Sequence, residues 1–315
     1  MRPALSIVFF TVSSGAGFSL LALLGVGAPL RLLPTSASFG FVALALAFLL
    51  AAGGLVSSVF HLGRPERAWR ALSQWRSSWL SREGVFSVLT FIPAAGFGVG
   101  WFFFGKTDGL VGLCAIAAAA LSITTIYCTS MIYASLKPVH QWRNQWVVPN
   151  YFALGLMSGC LILDFLTRLW ADRSSGVTLL GLIVVLAAWW MKERYWRAID
   201  TSSAASTVAS ATALGNRGRV RMFEAPHTEE NYLLKEMGYR IARQHKNRLR
   251  RIARLAGFVL PGLASFVVLL MSGMSGTILA GLGVASAALG LLVERWLFFA
   301  EAKHTVILYY GADTL

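Results

Sequence analysis

Residues 36–60, SASFGFVALALAFLLAAGGLVSSVF, run for 25 residues without a charged side chain and stop at His61-Leu62-Gly63-Arg64-Pro65. A stretch this apolar, with no polar face at a period of 3.6, does not describe a helix lying on a water-soluble core. Its length matches the roughly 20 residues a helix needs to cross the ~30 Å hydrocarbon layer of a bilayer. Seven further blocks reach or approach that length: Leu5 to Gly27, Gly84 to Phe104, Leu110 to Leu136, Val148 to Leu169, Val177 to Met191, Ala253 to Ser272 and Gly276 to Phe299. The block from Val177 is the shortest and needs part of its flanks. The alternating segments of roughly ten residues that build a membrane β-barrel are absent, and only helices or closed barrels satisfy every backbone amide in lipid. The expected fold is therefore all-α: a polytopic membrane protein in which residues 1–315 form one integral domain of eight transmembrane helices.

The composition agrees, with 56% hydrophobic and 13% charged residues and a mean hydropathy of +0.63. The first block has the apolarity of a secretory signal, but only Arg2 precedes it, its apolar run is too long for an h-region, and no clean small-x-small cleavage site follows. It reads as a retained membrane helix.

A net charge of +14 raises nucleic-acid binding as one reading. The placement of the charges argues for topology instead. Of the 28 Lys and Arg residues, 24 fall at the N-terminus, after spans two, four and six, and at the C-terminus, against Arg31, Lys106, Arg168 and Arg173 on the other side. The positive-inside rule then puts both termini in the cytoplasm, and in a bacterium the membrane is the inner one. Basic residues hugging apolar spans need no nucleic acid.

One substantial basic cytoplasmic loop is expected, residues 192–252. It contains a Ser/Thr/Ala-rich stretch from Thr201 to Leu214 and, after Pro226, a capped helix start at Thr228-Glu229-Glu230 followed by Lys235, Arg240, Arg243 and Lys246. That helix reads equally as an interfacial element held by anionic lipid or as a docking surface for a cytoplasmic partner.

Cys114, Cys128 and Cys160 all lie inside spans with no Cys-x-x-Cys spacing, so no iron–sulfur or structural zinc site is expected in this protein, and the cysteines read as packing residues. His61, His140, His227, His245 and His304 all lie at span ends or outside spans, and no axial pair for a membrane haem is visible.

The chemistry gathers where span two meets span three. His61 closes one and Glu83 opens the other, at similar depth. Between them Pro65, Trp69, Leu72, Trp75 and Trp79 recur at helical spacing and describe a short interfacial amphipathic helix that folds span three back beside span two. A quinone needs an apolar slot, groups that hydrogen-bond its oxygens, and groups that exchange protons, and a histidine with a partly buried carboxylate suits that requirement. Ionisable residues that merely end helices at the interface would give the same pattern. Lys137-Pro138-Val139-His140-Gln141-Trp142-Arg143, after span four, lies on the same face and reads either as the mouth of that cavity or as ordinary anchoring. Asp164, with Arg168 one turn later, reads either as a functional intramembrane carboxylate or as half of an i,i+4 pair that neutralises itself. Glu294, Arg295, Glu301 and His304 form a further cluster with a supporting or docking role.

Eight spans, His61-Leu62-Gly63-Arg64-Pro65, the Trp-rich connector, Ser81-Arg82-Glu83 and Lys137-Pro138 together resemble the membrane anchor subunits of the dimethyl sulfoxide reductase type, over essentially the whole sequence. Ile132-Tyr133-Ala134-Ser135-Leu136-Lys137-Pro138 and Glu224-Ala225-Pro226-His227-Thr228-Glu229-Glu230 are similar to the anchor of cytoplasmic sulfite-oxidising relatives, as is the inward-facing charge bias. The resemblance implies a haem-free anchor, without catalysis of its own on the substrate, joined on the cytoplasmic side to an iron–sulfur subunit and a molybdenum catalytic subunit of sulfur metabolism. It implies a ubiquinone or menaquinone site on which the family's histidine and glutamate fall at His61 and Glu83, with Arg64, Lys137, Trp79 and Trp142 around them. Two alternatives remain: a secondary transporter, for which mid-membrane polar residues are few, and a purely structural anchor with quinone chemistry elsewhere.

Overall fold

The computed structural model describes residues 3–60, 62–171, 175–202, 206–221, 223–224 and 245–310. Eight helices in it are long and apolar enough to cross a membrane: α1 Leu5–Gly27, α2 Ala37–Val59, α3 Trp79–Phe104, α4 Gly109–Ala134, α5 Val147–Trp170, α6 Ser175–Thr201, α7 Lys246–Leu269 and α8 Gly273–Ala300. All eight expected spans are present. No β-strand occurs among the described residues, and an isolated antiparallel bridge pairs Val139 with His304.

Helix α1 is the hub, packed against α2, α4, α5 and α8. Lipid tails are as apolar as leucine, so helices gain from close packing more than from leaving the lipid, and small residues permit that approach. A Cβ on Gly17 would fall 2.4 Å from the Ala51 nitrogen of α2, one on Gly25 2.4 Å from the Ala115 carbonyl of α4, and one on Gly159 of α5 2.9 Å from the Leu20 nitrogen of α1.

Two helices run beyond their apolar blocks. Helix α6 continues ten residues past Met191 to Thr201, so Lys192 lies inside the helix rather than at the start of a loop. The stripe Val185, Ala188, Lys192, Tyr195 and Trp196 is buried throughout, so helical periodicity carries across the point where hydropathy falls. Helix α7 likewise begins at Lys246. It contains a π-turn, Leu255–Val259, in which the Leu260 amide reaches the Leu255 carbonyl. Pro261 follows at once and has no amide to donate; a wide turn beside it is the usual accommodation. The Ser286 hydroxyl donates to the Ala256 carbonyl at 2.8 Å, tying this turn to α8.

The connector after span two is a 3-10 helix, Pro65–Gln74, rather than an α-helix. The spacing of Trp69, Leu72 and Trp75 is three, the period at which side chains eclipse in a 3-10 helix, and Trp69 and Trp75 are exposed along one edge. The capped helix expected from Thr228, and with it His227, lies outside the described residues.

Candidate functional site

The start of α3 is held by four local hydrogen bonds and two ring contacts. The Ser78 hydroxyl accepts the Ser81 amide and caps the helix. The buried Ser81 hydroxyl accepts the Gln74 amide from the end of the connector. Arg82 donates to the Trp75 and Arg76 carbonyls at 3.0 and 2.7 Å and lays its guanidinium 4.2 Å from the centre of the Trp79 ring. Trp79 in turn meets Tyr127 of α4 edge-on at 5.7 Å. These contacts fix the depth and rotation of α3, and they turn Glu83 inward.

Glu83 is 4% exposed. Its face of α3 continues through Ser87 and Thr90, and the facing stripe of α4 is Ser122, Thr125 and Thr129, so a polar seam runs between two otherwise apolar helices. Thr90 and Thr125 share a hydrogen bond at 3.4 Å. The Thr129 hydroxyl lies within hydrogen-bond reach of both the Glu83 carboxyl and the Thr125 carbonyl, the latter at 3.0 Å. A hydroxyl has a single hydrogen to donate. Thr129 therefore donates to Glu83 when that group is a carboxylate, and can accept from Glu83 and donate to Thr125 when it is a carboxylic acid. The Ser87 hydroxyl, one turn deeper, is buried without a partner among the described residues.

The other expected site residues divide into two groups. His61 lies outside the described residues. Arg64 is exposed at the start of the connector, and Trp79 is half-buried beside Arg82 and Tyr127, at the start of the helix that carries Glu83. Lys137 and Trp142 belong to the α4–α5 connection. Lys137 is exposed, whereas Trp142 is a core residue whose indole donates to the Phe298 carbonyl at 3.0 Å and whose ring stacks on Phe298 at 5.6 Å. Tyr133, one turn beyond Thr129, joins the groups by meeting Trp142 edge-on at 5.2 Å and stacking on Tyr151 at 5.7 Å.

Sequence reasoning passed over Thr129 and Lys192. Thr129 carries no sequence signal by itself, because threonine is common in membrane helices. Lys192 does carry one, the unbroken helical stripe described above. Its ammonium is 1% exposed and ion-paired with Glu294, whose other oxygen lies 3.4 Å from Arg295 Nε. Arg295 lies 4.0 Å from the centre of the Tyr151 ring. Nearer the helix ends, Arg250 donates to Glu301 at 2.9 Å through both Nε and Nη2 and to Asp200 at 2.5 Å. Beyond α8, the Val306 amide donates to His304 Nδ1 at 3.1 Å, and burial holds the His304 imidazole below its ordinary pKa.

At the opposite end of the bundle, Asp164 binds Arg168 Nε at 3.2 Å and the Thr178 hydroxyl at 2.5 Å. Among the described residues no group of three or more His, Cys, Asp or Glu side chains is arranged to hold a metal ion.

Residues 1–300 match the family described as DMSO reductase anchor subunit (DmsC). The protein is 33% identical to the C subunit of the sulfite dehydrogenase of Allochromatium vinosum, across 98% of this sequence and 99% of that protein. It is 29% identical to the C polypeptide of the anaerobic dimethyl sulfoxide reductase of Escherichia coli, across 42% of this sequence and 47% of the relative. A second Escherichia coli polypeptide, YnfH of the anaerobic dimethyl sulfoxide reductase, is 29% identical across 44% and 49%.

Proposed function

Because this chain belongs to the DMSO reductase anchor subunit (DmsC) family, we propose that it is the haem-free, quinone-facing membrane subunit of a molybdenum and iron–sulfur oxidoreductase. The oxidation carried out by its partners is that of sulfite, a reading supported by the full-length likeness to the Allochromatium vinosum sulfite dehydrogenase polypeptide. The face carrying the α2–α3 connector is cytoplasmic and receives the iron–sulfur subunit; the bias of 24 basic residues to 4 supports this sidedness.

The observation that carries the quinone assignment is Glu83: a buried carboxyl at the connector end of α3, backed by a hydroxyl that can give or take a hydrogen bond. The donor set suits a quinone headgroup. Glu83 and the orphaned Ser87 hydroxyl offer polar atoms on one face of α3, and Trp79 and Tyr127 offer flat apolar surface. A bound quinone supplies the two-electron, two-proton redox couple. Glu83 holds or releases a proton, Thr129 keeps it oriented in either state, and Arg82 and Trp79 lock the helix start so that the carboxyl does not swing to water. His61, two residues after α2 in the sequence, is the second proton-exchanging group, and Arg64 and Lys137 place positive charge at the approach. Trp142 acts at a distance by wedging Tyr133 against the α4–α5 junction.

Glu83→Gln tests the assignment, because glutamine keeps the shape and the Thr129 contact but exchanges no proton. The expected result in the purified complex is intact co-purification of the partner subunits with quinone turnover reduced about a hundredfold, the lower range for loss of an acid–base group. Unchanged turnover, or loss of the partners themselves, would overturn it.

A further inference from the structure

Between Thr129, which touches Glu83, and Arg295 of the buried ion cluster lies a small cavity of about 20 Å³, whose largely apolar wall, with Phe18, Ile126 and Leu291, also carries polar groups of Ser14, Tyr151 and Ser158. That is room for a water molecule, which needs about 10–15 Å³ and several polar partners. On the wall the Tyr151 hydroxyl is buried without a well-formed hydrogen bond among the described residues, a shortage a water would correct; behind Arg295, the Glu294 oxygens are engaged by Lys192 and Arg295 as ion pairs. One wall is Thr129, which touches Glu83; the opposite wall is Arg295, which touches Glu294, and Glu294 holds Lys192.

Charge counting ties the two ends together. Lys192, Glu294 and Arg295 are 1%, 0% and 4% exposed, and fully ionised they carry one positive charge in excess, which is costly inside a membrane domain. The acidic group across the cavity is Glu83. When Glu83 is a carboxylate, the four groups are neutral together. When it takes a proton, neutrality returns only if the cluster gives one up. Of its members, Arg295 does not deprotonate in proteins and Glu294 carries the only negative charge among the three, so the proton to be released is the one on Lys192.

We propose that Lys192 and Glu83 exchange a single proton across this cavity, making the Lys192–Glu294–Arg295 cluster the proton store of the Glu83 site. The inference rests on the reading of Glu83 as a proton-exchanging group. In the forward step a Lys192 N–H bond breaks and its proton passes to the Glu294 carboxylate. From Glu294 it moves past Arg295, the wall of the cavity, to the cavity water, which gives up another to the Thr129 hydroxyl; Thr129 passes its own hydrogen to Glu83, where an O–H bond forms. The water and the hydroxyl are regenerated, Lys192 becomes neutral, and the net charge of the set does not change. The same relay runs in reverse.

Other charged and titratable groups face this path. Tyr133 of α4 and Tyr151 of α5 lie within electrostatic reach of both Glu83 and Arg295, Cys128 and Arg82 stand beside Glu83, and Tyr195 and Glu301 stand beside the cluster. Lys192 sits about 14 Å inside α6 from its Thr201 end at 1.5 Å per residue, and Glu294 about 9 Å inside α8 from Ala300. The Asp200–Arg250–Glu301 network lies on the outer side of both.

The test reads the carboxyl directly, without turnover. In the full-length protein in lipid nanodiscs, the protonated-carboxyl infrared band of Glu83 is identified by its loss in Glu83→Gln, and its hydrogen–deuterium exchange is timed after transfer to heavy water. Lys192→Met and Lys192→Arg are both expected to slow that exchange about tenfold or more, since arginine keeps the charge but does not release its proton. Lys246→Met, which removes a surface partner of Asp200, is the control and leaves the rate unchanged. Exchange at the wild-type rate in both Lys192 variants overturns the proposal. So does slowing in Lys192→Met with a wild-type rate in Lys192→Arg, which would make Lys192 a structural charge, and so does the absence of any Glu83 band. If Lys192→Met fails to fold, Lys192→Arg decides alone. Quinone turnover of Glu83→Gln in the purified complex is measured separately: unaltered turnover would remove the quinone assignment and leave the exchange result standing.

Discussion

Asp164 shows how little a buried charge says about function until its partners are known. Its carboxylate is met by Arg168 and by Thr178, and the Arg168 guanidinium reaches on to the Val268 carbonyl at 3.3 Å, so the group clamps α5, α6 and α7 at one end of the bundle. Removing one member of such a clamp leaves the other charge buried and alone. Asp164→Ala is therefore expected to cost about 3–5 kcal/mol, while the double change Asp164→Leu with Arg168→Met costs far less; thermal unfolding in detergent compares them. Glu83 presents the opposite case. It has a hydroxyl neighbour instead of a fixed cation, which leaves its proton free to move. The i,i+4 spacing of Asp164 and Arg168 made the clamp legible in sequence. The hydroxyl beside Glu83 was not legible, because Thr129 lies 46 residues away and only the packing of α3 on α4 brings it there.

At the scale of elements, the approach of α7 to α8 is set by two glycines. A Cβ on Gly290 would stand 2.1 Å from the Gly257 nitrogen, inside the π-turn. Backbone cannot yield as a flexible side chain would, so Gly290→Ala is expected to destabilise by about 1–3 kcal/mol or more through overpacking, visible as a lowered Tm. Because Glu294 and Arg295 sit one turn further along α8, the same variant should displace them from Lys192. The Val139–His304 bridge carries a pH dependence. His304 is neutral in the fold with its pKa held below the ordinary 6.5, so the unfolded state binds the proton more readily, and stability falls as pH drops through that value. Protonation also removes the Nδ1 acceptor from the Val306 amide. Once the intrinsic base-catalysed rate is divided out, the protection of the Thr305 and Val306 amides, bonded to the Pro138 carbonyl and to His304 Nδ1, should fall below about pH 6.5 and not change with pH in His304→Asn.

At the scale of the whole molecule, the proposed orientation predicts which loops face which compartment. Single cysteines replacing Lys137 and Lys106 should react with a membrane-impermeant maleimide from opposite sides, Lys137→Cys only after the cytoplasmic side is opened. Labelling in the reverse pattern would place the Glu83 end outside. The native Cys128 and Cys160 are buried and Cys114 is half-buried, which keeps the background low. Eight spans, their order and the shared side of the connector, the α4–α5 connection and α6–α7 were all readable from the amino-acid sequence, because the thickness of a bilayer imposes its own length on each apolar block and the electrostatics of insertion sorts the lysines and arginines. What the sequence could not decide is which polar side chains meet. Lys192 read as the first residue of a loop and became one of the most buried charges in the protein, and Glu83, Thr129, Glu294 and Arg295 come from three helices far apart in sequence. Hydropathy records the cost of placing each residue in lipid. Whether that cost is met by a partner depends on helix rotation and depth, which are fixed by the close approaches of Gly17, Gly25, Gly159 and Gly290 and exist only once the bundle has packed.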